Sequence, residues 1–244
     1  MKTTAFSTTG TMGLVFFFFL SFIACRKETA INPTEEDAAD AIENAIAASS
    51  GGAAEDMAAA SQYTYNQGYG KQEGINSLQC GVPFDTAVSL ENSGIATTSF
   101  LHAWTALLNC NGFVPESVSW TGTYTGSYDA PRLTGSTAGS RNWTISGLGQ
   151  QSIEYTLNGT TSRTGSHTSK VRNKYTFSHT LTTTYTNLQL NKTTHRITGG
   201  TADVQATLMV STGNSRTFSG EIVFSGDGTA ILTINGKSYI ITIY

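Results

Sequence analysis

From Tyr63 to the C-terminus, apolar residues recur at every second position and never at helical spacing, and this alternation sets the class of fold. Successive side chains of a strand point to opposite faces, so a period of two marks a strand with one buried side. Cys80, Val82, Phe84, Thr86, Val88 and Leu90 share one face, and beyond Asn92-Ser93-Gly94 so do Phe100, His102, Trp104, Ala106, Leu108 and Cys110. Antiparallel pairing through that turn puts both sets on the core side of one hairpin. The same rule marks strands around Trp120, Trp143, Tyr155, Phe177, Val204, Ile222, Leu232 and Ile241. Turn signals separate the later ones at Asn158-Gly159, Gly199-Gly200, Asp227-Gly228 and Asn235-Gly236. The last is the strongest, because Asn-Gly supplies the positive φ angles of a two-residue hairpin. Residues 63–244 therefore read as one all-β domain, an antiparallel sandwich or open barrel of about ten strands. Its outer face between residues 113 and 190 is rich in Thr, as befits a sheet with one side in water.

The chain ahead of this domain has a different character. Residues 1–24 begin with Met1-Lys2 and contain an apolar run from Gly13 to Ala24, the pattern of a signal peptide. That run is shorter than the roughly 20 residues a membrane span needs. Phe22-Ile23-Ala24-Cys25 places a small residue directly before a cysteine and resembles the lipobox of bacterial lipoproteins. The resemblance implies that the Cys25 thiol is alkylated by diacylglycerol and that its amine, freed by cleavage, is acylated too. Two such signals suffice for stable membrane attachment. Residues 25–62 are expected to be a flexible acidic, Ala-rich tether that is partly helical. Thr34 followed by Asp37 makes a capping box, and Ala38, Ile42, Ala45 and Ile46 recur at helical spacing until Ser49-Ser50-Gly51-Gly52. Alanines bury little, so this piece and the Ala-rich 53–60 read as spacers or transient helices.

Charge is sparse and unevenly placed. Charged residues make up 13% of the chain, well below the roughly 25% of an ordinary domain. Residues 28–56 hold eight acids and no Lys or Arg, whereas residues 130–202 hold eight basic residues against Glu154 alone. The basic block is either a solvated face or an anion- or glycan-attracting surface formed by Arg163, Lys170, Arg172 and Lys174. An exported chain has little access to nucleic acid, so none is expected as a partner. With Cys25 lipidated, Cys80 and Cys110 remain as a disulfide pair for an oxidising compartment. Reflection of Cys80 through a turn at Ser93 falls on Ala106, so the bridge requires a bulge or a flared hairpin end. Two buried free thiols and metal ligation are the alternatives.

No constellation for catalysis stands out. His102 and His179 lie in apolar stripes and read as core histidines, while His167 lies in the basic segment and reads as solvated. No Gly-x-Ser-x-Gly elbow, metal-ligand spacing, calcium loop or phosphate loop is present, so neither a cofactor nor a metal is expected. Among the acids, Asp129 and Glu154 flank the basic block and are the first pair to consider for glycosidase chemistry. Trp120, Tyr124, Tyr128 and Trp143 either stack on sugars or pack the core. Asp85-Thr86-Ala87 resembles the acceptor for O-glycosylation of exported Bacteroidota proteins, with Thr86 as the acceptor, although Thr86 shares the inward parity.

The lipobox, the acidic Ala-rich segment and the Thr/Gly-rich β-domain together resemble exported outer-membrane lipoproteins of the Bacteroidota. The resemblance implies a protein lipid-anchored to the outer membrane, on its surface or periplasmic face. The first functional expectation is a non-enzymatic binding or adhesion module, with a polysaccharide as the leading partner. The alternative is a structural or assembly lipoprotein that contacts another envelope protein. A small-ligand barrel and a glycan hydrolase complete the set.

Overall fold

The computed structural model describes residues 31–66, 78–172 and 174–244; the leader, the lipobox and Cys25 lie outside the described residues. The strands are β1 (Pro83–Ser93), β2 (Thr97–Asn111), β3 (Val114–Asp129), β4 (Leu133–Ser146) and β5 (Glu154–Ser169), followed by β6 (Thr176–Asn191), β7 (Ile197–Val210), β8 (Ser215–Phe224), β9 (Thr229–Ile234) and β10 (Lys237–Thr242). They form one sheet in sequence order, every strand antiparallel to its neighbour. Of the two architectures open at the level of sequence, this single open sheet is the barrel-like one. Burial alternates along each strand, so the inner face carries Trp104, Trp120, Trp143, Phe177, Tyr185 and Phe218.

Asn235-Gly236 makes the two-residue turn between β9 and β10, with φ of 50° and 79°. Two other glycine signals do something else. Asn158-Gly159 and Gly199-Gly200 were expected to be turns, but they lie inside β5 and β7. The register slips there, between Leu157 and Gly159 on β5 and beside Asn187 on β6. Gly159 and Gly200 take φ of 143° and 105°. A Cβ would lie 2.1 Å from the Asn142 carbonyl oxygen at Gly159 and 2.6 Å from Leu188 Cα at Gly200. Gly159 and Gly200 thus sit beside β-bulges in the two ladders that flank β6, and bulges bend a sheet and strengthen its twist. The sequence signal for a turn is here the signal for curvature.

Residues 31–62 require a correction. They are not a tether in the structure: α1 (Glu35–Ile46), a 3-10 turn (Ala48–Ser50) and α2 (Ala53–Asn66) pack against the inner face of the sheet. Thr34 caps α1 as expected, its side chain accepting from the Asp37 amide while Asp37 accepts from the Thr34 amide. Nine of the twelve residues of α1 are buried, so the helix is core rather than surface. Ala38, Ile42, Ile46, Ala54 and Met57 belong to the same apolar cluster as Trp120, Leu157, Phe218 and Ile234. The small alanines contribute little area of their own, but they let the helices settle into a concave sheet. At the end of α2, Tyr63 stacks on Phe84 and meets the Trp120 ring edge-on. The described domain therefore includes both helices.

Cys80 and Cys110 form a disulfide with Cα atoms 5.6 Å apart. The bulge or flared hairpin end expected from a turn at Ser93 is not needed between β1 and β2. Ser93 pairs with Thr97, which centres the hairpin on Ile95 and makes Cys110 the reflection of Cys80. Such a bridge contributes about 2–4 kcal/mol.

Candidate functional site

The acids of the helices and the bases of the sheet meet. Arg172, on the β5–β6 connection, donates to Asp37 at 2.8 Å and also to Asp40. Arg132, on the β3–β4 connection, donates to the same Asp40 through Nε at 2.7 Å. Deeper in, Arg163 of β5 is buried and donates to Asn44 Oδ1 at 3.0 Å and Thr137 Oγ1 at 3.1 Å. Lys170 pairs with Asp129. Three of the four cations expected to form an anion surface are thus occupied within the fold, and Lys174 is exposed on the β5–β6 connection. The free-surface expectation is corrected for Arg163, Lys170 and Arg172. Arg172 meets the acids of α1, Arg163 meets the Asn44 side-chain amide on the same helix, and Lys170 meets Asp129 at the end of β3.

A second polar node ties α2 to the sheet. Asp56, 3% exposed, lies 2.8 Å from His102 Nδ1 and 3.0 Å from Arg141 Nη2. Arg141 is flanked by the rings of Trp104, Tyr124 and Trp143, 5.1–5.6 Å from their centroids. Burial pushes the Arg141 guanidinium down from its ordinary range, while Asp56 and Tyr124 act against that shift. Trp120, Tyr124, Tyr128 and Trp143 are all buried, so they pack the core rather than present a sugar platform. His102 is a core histidine whose Nδ1 lies 2.8 Å from Arg141 Nη2 as well as beside Asp56.

His167 is also internal, contrary to its expected solvation. It is 1% exposed, and its Nδ1 lies 3.1 Å from that of His179. Burial lowers the two to about 4 and about 3, with Arg163 adding to both shifts and His167 to that of His179. Its odd number in β5 already carries the inward parity; its basic neighbours obscured this. Among the described residues, His195 contacts a hydroxyl nucleophile: Ser61 Oγ lies 3.1 Å from its Nδ1. Ser61 is fully buried on α2, and the Tyr65 ring edge packs on His195, so this pair ties α2 to the β6–β7 connection. Asp129 and Glu154 do not converge: Asp129 ends β3 in the row of Thr134 and Thr168, whereas Glu154 begins β5 at the far end. Thr86 pairs with Trp104 on the inner side and is half-buried, while Asp85 accepts from Thr105 at 2.6 Å.

Two surfaces remain. The outward positions of β4, of β5 from Thr156 onward and of β6 up to Thr186 carry Ser, Thr, Ala and Asn, with the ionisable Glu154 at the start of β5. The other is concave. A groove of about 270 Å³ runs beside α1, between that helix, the β1–β2 and β3–β4 connections and the C-terminal residues. Ala47, Ala96, Pro131 and Leu133 give it apolar walls, and Ile95, 82% exposed, stands at its lip. Asp40, Glu43 and Asn44 line the α1 side. No sequence signal pointed here, because the groove is made by chain segments that meet only after α1 docks.

Among the described residues, no group of three or more His, Cys, Asp or Glu side chains is placed to hold a metal, and no helix is long and apolar enough to cross a membrane. No protein family, curated protein or solved structure matches the chain.

The histidine pair sets a pH dependence. Each imidazole titrates lower in the folded chain than the roughly 6.5 of an unfolded one, so the unfolded state binds more protons. The pair's contribution is intact above about pH 6.5 and is lost as pH falls towards 4. Urea midpoints measured from pH 7 to pH 4 fall across that window, and His179→Gln makes the fall shallower. An unchanged slope in the variant contradicts the assignment.

Proposed function

We propose that the chain is a non-enzymatic binding module of the cell envelope, anchored to the outer membrane through acylated Cys25. Its working surface is the groove beside α1. One observation carries this reading: the inner face of the sheet is filled by the helices, and the groove is a concavity with apolar walls and few polar groups, the usual form of a small-ligand site. An aliphatic chain entering such walls gains about 0.8 kcal/mol per methylene. Six carbons then supply about 4–5 kcal/mol, which corresponds to a dissociation constant on the order of millimolar. Asp129 and Glu154 lie at opposite ends of their strands, and Ser61 of the Ser–His pair is fully buried, so neither pair is set for hydrolysis. The sugar-directed version of this reading loses its aromatic residues and Arg163 to the interior, and Lys170 and Arg172 to ion pairs within the fold.

Hexan-1-ol tests the groove. It raises the melting temperature of the full chain saturably; Ser49→Trp, which places an indole at the rim, abolishes the shift, and Ile95→Ser weakens it several-fold. A shift that survives Ser49→Trp puts the ligand elsewhere. The anchor is checked by intact mass of membrane-extracted protein: residues 25–244 plus acyl chains for the parent, and no acylated species for Cys25→Ser. An unacylated parent removes the membrane attachment.

A further inference from the structure

We infer that the groove selects an apolar ligand bearing one positive charge, a small aliphatic primary amine. The inference rests on the groove being the binding site and adds its charge preference. Asp40, Glu43 and Asn44 project from one face of α1, at spacings of three and four residues, and Ala47 caps the end of the helix beside them. Most of the polar capacity on that wall is already used. Arg132 and Arg172 both donate to Asp40, and Asp37 completes a cluster of two acids and two bases. Asn44 Oδ1 accepts from Arg163 at 3.0 Å, and the Ser50 hydroxyl donates to the Asn44 carbonyl at 2.9 Å.

Glu43 is different. Its Oε1 accepts the Thr242 amide at 3.0 Å, and among the described residues no cation pairs with it. The groove therefore carries one uncompensated negative charge beside apolar walls. A carboxylate in that setting attracts a cation more strongly than it does in water, because the walls displace solvent and lower the local dielectric. An ammonium group offers three donors and matches a single carboxylate without the planar fork of a guanidinium. Its alkyl chain then lies against Ala96, Pro131 and Leu133. An alcohol satisfies the walls but not the charge, and a carboxylate opposes it.

Titration calorimetry of the full chain at pH 7 with hexylamine, hexan-1-ol and hexanoate separates these effects. Hexylamine binds on the order of tenfold more tightly than hexan-1-ol, and hexanoate more weakly than either. Glu43→Gln, which retains an oxygen for the Thr242 amide, loses the amine preference, so that it binds hexylamine and hexan-1-ol with similar affinity. Equal binding of the three ligands, preference for hexanoate, or a preference that survives Glu43→Gln overturns the inference while leaving the groove intact. Failure of all three to bind overturns the groove reading and the inference together.

Discussion

The ion pairing between the N-terminal helices and the basic connections of the sheet is the interaction on which the rest of the structure depends. An open sheet with Trp104, Trp120, Trp143, Phe177 and Phe218 on one face cannot leave that face in water. The helices cover it, but their Ala-rich surfaces have little shape with which to choose an orientation. Charge makes the choice. Asp37 and Asp40 meet Arg132 and Arg172 at one end of α1, and Asp56 meets His102 and Arg141 under α2. Exposed ion pairs are worth little on their own. The Asp56 node is buried, and removing one partner of a buried pair costs about 3–5 kcal/mol, because the other charge is left without compensation. The pairs thus fix where the helices sit more than they add to overall stability.

That placement also makes the groove. Asp40 faces the cluster that orients α1, and Glu43, three residues on, faces the C-terminal strand and the cavity. The same helix face therefore holds the fold together and presents an acid that lines the groove and pairs with no cation among the described residues. Function and stability share an element here, and the polar wall is positioned by contacts that lie outside it.

The strands were legible in the sequence because period two needs no knowledge of the partner, and Asn235-Gly236 and the Thr34 cap were legible because their chemistry is local. The failures have one physical origin. Asn158-Gly159 and Gly199-Gly200 carry the conformational freedom of a turn, but strand neighbours on both sides turn that freedom into bulges. The acidic helices and the basic block were each visible as a charge excess, yet their mutual attraction lies some 100 residues apart in sequence. Burial of His167 follows its parity, which its charged neighbours hid. The groove has no local signal at all, since α1, two connections and the C-terminus come together only in the folded chain.

Removing the helices tests the central claim most directly. A chain beginning at residue 67 keeps all ten strands and the Cys80–Cys110 bridge but lacks α1 and α2. Its urea unfolding, followed by tryptophan fluorescence, is the measurement to make. The account predicts loss of the cooperative transition and strong binding of a hydrophobic dye to the uncovered face. A cooperative transition with the midpoint of the full chain would show that the sheet stands alone and that the helices are, after all, a tether.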